Sequence, residues 1–118
     1  MIKEKSAALS QTSAKGVVMA CINALNTENF DAARKYIDDD IEFEGVLGSR
    51  HGAEAYFQDM EKMRLKYKVK KAFENGDDVC LLYDLDISGK TIFCCGWYHL
   101  QQGKIDRLQV VFDPRPLL

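Results

Sequence analysis

One stretch constrains this chain more than any other: TIFCCGWYHLQQGKIDRLQVVFD, from Thr91 to Asp113. It holds two apolar runs around the turn Gln101-Gln102-Gly103-Lys104, which is a β-hairpin signal. Strand residues point alternately to opposite faces. Ile92, Cys94, Gly96, Tyr98 and Leu100 therefore share one face, and Phe93, Cys95, Trp97 and His99 share the other. In the second run Leu108, Val110 and Phe112 oppose Arg107, Gln109, Val111 and Asp113. Both faces carry apolar groups, so both need a cover. The expected cover is helices and a cavity on one side and a second subunit on the other.

At 118 residues the chain is long enough for one domain with a real core. A net charge of −2 leaves no electrostatic footprint for nucleic acid or an anionic membrane. The alternating Arg64, Lys66, Lys68 and Lys70 read as one solvated strand face. No stretch reaches the roughly 20 apolar residues of a membrane span, and the opening MIKEKSAALSQTS lacks a signal-peptide core. The four cysteines, Cys21, Cys80, Cys94 and Cys95, have no metal-ligand spacing. Cys94 and Cys95 point to opposite faces and should not pair. Reduced thiols in a cytoplasmic protein, without metal or cofactor, are the expectation.

Along the chain, residues 1–12 are expected to be frayed, and 13–118 to form one domain. Ser13 or Thr12 caps a first helix through Asn26. Asn29 caps a second, Phe30 to Ile37, which Asp38-Asp39-Asp40 stops. A short strand follows, with Ile41, Phe43 and Gly45 on one face and Glu42 and Glu44 on the other. Residues 45–52 read as a loop. A third helix, Ala53 to Lys66, has Tyr56, Phe57, Met60, Met63 and Tyr67 largely along one stripe. Strands then run from Tyr67 to Glu74 and from Val79 to Ile87, turning at Asn75-Gly76-Asp77. Pro114 and Pro116 end the sheet. The predicted order is ααβαββββ, an α+β fold with three helices packed on a curved antiparallel sheet.

The segments ALNTENFDAARKYIDDDIEFEG (24–45), RHGAEAYF (50–57), NGDDVCLLYDL (75–85) and CCGWYHLQQGKIDRLQVVFDP (94–114) together resemble the NTF2-like superfamily. The likeness is to its bacterial SnoaL-like, ketosteroid-isomerase-like branch and covers residues 13 to 116. It implies a cone-shaped fold with a cavity and, commonly, a dimer joined sheet to sheet. The superfamily spans isomerases, cyclases, dehydratases, hydrolases and non-catalytic binders, so chemistry must come from the site. By motif alignment, the isomerase's oxyanion-hole tyrosine falls at Cys21, its general-base aspartate at Gly45 and its protonated aspartate at Gly96. Enolisation needs a base near the proton and a donor near the oxygen. A thiol and two glycines supply neither, so steroid isomerisation by that route is not expected. A shift of one or two residues would bring Glu44 to the base position and turn it inward.

The inward set from the strands comprises Phe43, Gly45, Leu81, Tyr83, Leu85, Cys94, Gly96, Tyr98, Leu108, Val110 and Phe112. Cys21, Phe57 and Met60 join it from the helices. This set reads either as a filled core or as a pocket for a small, mostly apolar molecule, with Tyr83 and Tyr98 as hydrogen-bonding groups. His51 is the better-placed histidine for acid–base work, near the expected cavity mouth; the alternative is a loop or capping residue. Glu44 and Asp113 are weaker catalytic candidates. For Asp113, a salt bridge with Arg115 is the simpler role. The outward residues Phe93, Cys95, Trp97, His99 and Val111 form the expected homodimer interface. Three functions follow: a SnoaL-like binder of a small apolar ligand, an acid–base enzyme acting on a small hydrophobic carbonyl compound, and a dimeric interaction protein with a filled core.

Overall fold

The computed structural model describes residues 13–118; the expected frayed segment 1–12 lies outside the described residues. Helix α1 spans Ala14–Asn26, and the Ser13 hydroxyl accepts its Gly16 N–H at 3.0 Å. Its buried face is Val17, Val18, Cys21, Ile22 and Leu25. At its last residue the Asn26 amide bonds both ways to the Tyr67 backbone, donating to the carbonyl at 2.9 Å and accepting the N–H at 2.7 Å. One side chain thus stands in for a strand neighbour and ties the helix to the far edge of the sheet.

Helix α2, Phe30–Arg34, is capped by Asn29 but is shorter than expected. Ile37 opens strand β1, Ile37–Gly45, instead of closing the helix. Ile37 and Ile41 are both wholly buried, and a register shift between Ile37 and Glu42 accommodates the three aspartates. Core burial outweighs the turn preference of the Asp run. The expected loop after Gly45 is also structured: strand β2, Gly48–His51, folds back on β1 in a tight hairpin. Every residue of β2 is exposed, so no apolar alternation advertised it. Helix α3 spans Ala53–Met63 and stops at Arg64, whose φ of 49° is left-handed. It therefore ends short of Lys66, and Tyr67 belongs to strand β3, Lys66–Asn75.

Strands β4 (Asp78–Ile87), β5 (Lys90–Gln101) and β6 (Lys104–Phe112) complete an antiparallel meander from β3. The predicted order ααβαββββ holds, with β2 as a short addition. The six-stranded sheet has the order β2-β1-β6-β5-β4-β3. One junction departs from the expected antiparallel pattern: β1 pairs with β6 in parallel, because the meander starts at the far edge and returns to β1 running the same way. The helices cover one face, where the core collects.

The inward parity of β5 is as read: Ile92, Cys94, Gly96, Tyr98 and Leu100 are buried. Cys94 and Cys95 lie on opposite faces and all four cysteines are free; Cys80 and Cys95 approach across the outer face at 3.7 Å. Gly96 sits under two tyrosine rings. A Cβ there would lie 3.0 Å from Tyr98 Cε1 and 3.2 Å from Tyr83 Cε1. Both rings are almost wholly buried and have little room to retreat. Gly96→Ala should therefore cost roughly 1–3 kcal/mol by overpacking, measured by urea denaturation; a change below about 0.5 kcal/mol, the usual size for a surface substitution, would refute the packing role.

Candidate functional site

The cone is not completely filled. A cavity of about 180 Å³ remains between the concave face of the sheet and α3. The strands contribute Tyr67, Tyr83, Leu85, Cys94, Tyr98, Leu108, Val110 and Phe112. Helix α3 adds Tyr56 and Met60, and β1 adds Phe43 and Gly45. The lining also includes Val46 and Leu47 from the β1–β2 turn, Met63 at the end of α3, and Leu117 in the 3₁₀ turn Arg115–Leu117. Leu47 is 60% exposed, so apolar surface continues from the cavity into solvent. Gly45 is needed for a neighbour: a Cβ there would lie 3.2 Å from the Phe43 ring.

Four phenols are the main polar side-chain groups in this lining. The Tyr67 and Tyr83 rings are 5.3 Å apart, and Tyr56 packs at 5.9 Å from Phe43. The Tyr67 hydroxyl donates to Met60 Sδ at 3.7 Å. The Tyr83 and Tyr98 rings both lie against Gly96. Burial is the main force raising all four phenol pKa values, so each stays protonated at physiological pH. Burial also raises the Cys94 thiol to about 11. Among the described residues, the lining contains no carboxylate, imidazole, ammonium or guanidinium. Such a cavity can hold an apolar body and donate or accept hydrogen bonds through its phenols.

Several predicted positions fall elsewhere. Cys21 is buried outside the cavity, its thiol donating to the Ala33 carbonyl at 3.9 Å, and burial raises its pKa to about 12. Phe57 and Leu81 are core residues outside the lining, and Gly96 is covered by the tyrosine rings. His51 is exposed on β2, with Nδ1 2.6 Å from Glu42, and does not line the cavity. Glu44 is exposed on the outer parity of β1. Asp113 is exposed and paired with Arg115, whose guanidinium lowers its pKa. Of the five catalytic candidates only Tyr83 and Tyr98 line the cavity. Tyr56 and Tyr67 were missed as site residues. The helical stripe already placed Tyr56 beside Met60, whereas the left-handed stop at Arg64 hid the arrival of Tyr67 from β3.

On the outer face, Phe73, Phe93, Trp97 and Val111 are 57%, 55%, 46% and 50% exposed. His99 is half-buried there, 2.7 Å from Asp106, whose carboxylate raises its pKa. Among the described residues, no group of three or more candidate ligands converges for a metal ion, and no helix is long and apolar enough to cross a membrane.

No protein with a curated description matches this chain in sequence. Among solved structures, an NTF2-like protein of unknown function from Cytophaga hutchinsonii is 52% identical, with a TM-score of 0.88 over 89% of this chain and 94% of that one. An LEH-like epoxide hydrolase from M. tuberculosis is 24% identical, with a TM-score of 0.73 over 86% and 84% of the two chains. A candidate polyketide cyclase from Sinorhizobium meliloti is 15% identical, with a TM-score of 0.72 over 80% and 92%. The last two likenesses establish the fold alone. The SnoaL-like domain profile matches residues 18–108, most of the chain. With its three helices, its open curved sheet and its phenol-lined cone, the chain belongs to the SnoaL-like family of NTF2-like folds.

Proposed function

We propose that this SnoaL-like domain binds a small, mostly apolar molecule in the cavity between α3 and the curved sheet. The observation that carries the reading is the lining: apolar walls, four protonated phenols and, among the described residues, no carboxylate or imidazole. Specific pockets pair apolar walls with a few polar groups that orient the ligand. Acid–base catalysis has less support, since His51, Glu44 and Asp113 stand outside the cavity.

A thermal-shift screen of small ketones, lactones, epoxides and hydrocarbons tests the reading. A ligand at a hundred times its dissociation constant adds about 2.7 kcal/mol, which raises Tm by roughly 10 °C in a domain of this size. Hits that share a scaffold are expected. No shift from any member of the set would overturn the assignment.

The exposed outer face supports a second property, a homodimer joined sheet to sheet. Phe93, Trp97 and Val111 lie together with Cys95 and the flanking Phe73, and a continuous apolar patch of this kind calls for a partner. Trp97→Glu should halve the mass in light scattering; a wild-type monomer, or a dimer that survives the substitution, would sink this arrangement.

A further inference from the structure

We infer that the cavity selects uncharged molecules of about one ring bearing a hydrogen-bond acceptor, and rejects the corresponding acids and amines. This rests on the ligand-binding reading above and adds the ligand's size, charge and polar group.

Size comes first. The cavity measures about 180 Å³, close to an engineered apolar cavity of roughly 150 Å³ that holds benzene. It falls below the roughly 300–1,000 Å³ of pockets that enclose drug-sized ligands. One ring with a short substituent fills it. A longer alkyl group has a path outward along Val46, Leu47 and Met63, which are themselves exposed.

Charge is decided by what surrounds the space. An ion taken from water needs a countercharge and hydrogen bonds to offset its lost hydration. Neither sign finds a countercharge among the described residues of this lining. Of the cations next to lining residues, Lys66 and Arg64 pair with Glu28, and Arg115 pairs with Asp113. Lys90, which follows the β4–β5 turn near Ile87 and Leu117, donates to the Pro116 carbonyl. The phenols cannot act as anions for a bound amine, because burial keeps them protonated. A positively charged group could still rest against the aromatic faces, so an ammonium probe belongs in the test.

The polar group follows from the hydroxyls. Tyr67 already donates to Met60 Sδ. Tyr83 and Tyr98 meet over Gly96, and both belong to the lining. A protonated phenol in this lining has a hydroxyl proton that it can donate to a ligand oxygen. A ketone, ester, lactone or epoxide oxygen satisfies it, and a hydrocarbon of the same shape does not.

Four probes that share a cyclohexyl ring and a short substituent separate the possibilities: cyclohexyl methyl ketone, ethylcyclohexane, cyclohexanecarboxylate and cyclohexylmethylammonium. Affinities are measured by titration calorimetry or by chemical shift at pH 7.5, on the full chain and on Tyr83→Phe and Tyr98→Phe. The ketone should bind, with both charged probes at least thirtyfold weaker. One of the two Phe variants should weaken the ketone roughly tenfold, as loss of one buried hydrogen bond does, and leave ethylcyclohexane unchanged. A carboxylate or ammonium within threefold of the ketone, or tighter, overturns the charge selection while the cavity remains a binding site. Equal loss of ketone and hydrocarbon in both variants overturns the hydroxyl role. If none of the four binds, the binding reading falls and takes this inference with it.

Discussion

The parallel pairing of β1 with β6 joins two halves that the chain makes separately. One half is α1 to α3 with the β1–β2 hairpin; the other is the meander from β3 to β6. Phe43 lies opposite Leu108, Glu42 opposite Arg107 and Ile37 opposite Ile105. The Ile105 N–H donates to the Tyr36 carbonyl at 2.8 Å. Ile37, Ile41 and Ile105 are wholly buried beneath this junction. Without it, β1 would have only the exposed four-residue β2 as a neighbour, and a lone hairpin is marginal in water. The cavity depends on the same junction, because Phe43 and Gly45 on one side and Leu108 and Val110 on the other form a continuous stretch of its wall.

Most of this fold was legible because its strands obey one strong rule. The two-faced apolar pattern of Thr91 to Asp113 demanded a central hairpin, and the Asn75-Gly76-Asp77 turn set its neighbour. Local rules failed where tertiary burial outweighed them. Ile37 follows a helical stripe yet enters a strand, because the core of the junction takes it. Gly48 to His51 carries no apolar residue, so nothing local marks it as a strand; the pairing of Gly45 with Gly48 supplies the reason. Direction was equally hidden, since alternation fixes which face a residue takes but not whether its neighbouring strand runs with it or against it.

The candidate site was legible by parity and less so by depth. Tyr83, Cys94, Tyr98, Leu108 and Val110 were read inward and line the cavity. Leu81 and Gly96 have the same parity but lie in filled core, because how far a cone is packed depends on ring positions in three dimensions. Gly96 illustrates the difference. A glycine facing inward suggests empty space, yet here the space is taken by Tyr83 and Tyr98, and the missing side chain is what lets the two phenols meet.

That exchange of a side chain for two phenols bears on chemistry. In this fold an inward carboxylate or histidine would turn a container into a catalyst, since proton transfer needs a group whose pKa lies near the working pH. The lining of this cone does the reverse. Its titratable groups are phenols and a thiol, and burial moves all of them further from neutrality. The same burial that disables a base strengthens a hydrogen bond to a neutral oxygen, because the low local dielectric favours it. The proposed binding role agrees with this lining, and the two histidines, His51 and His99, lie beside carboxylates outside it.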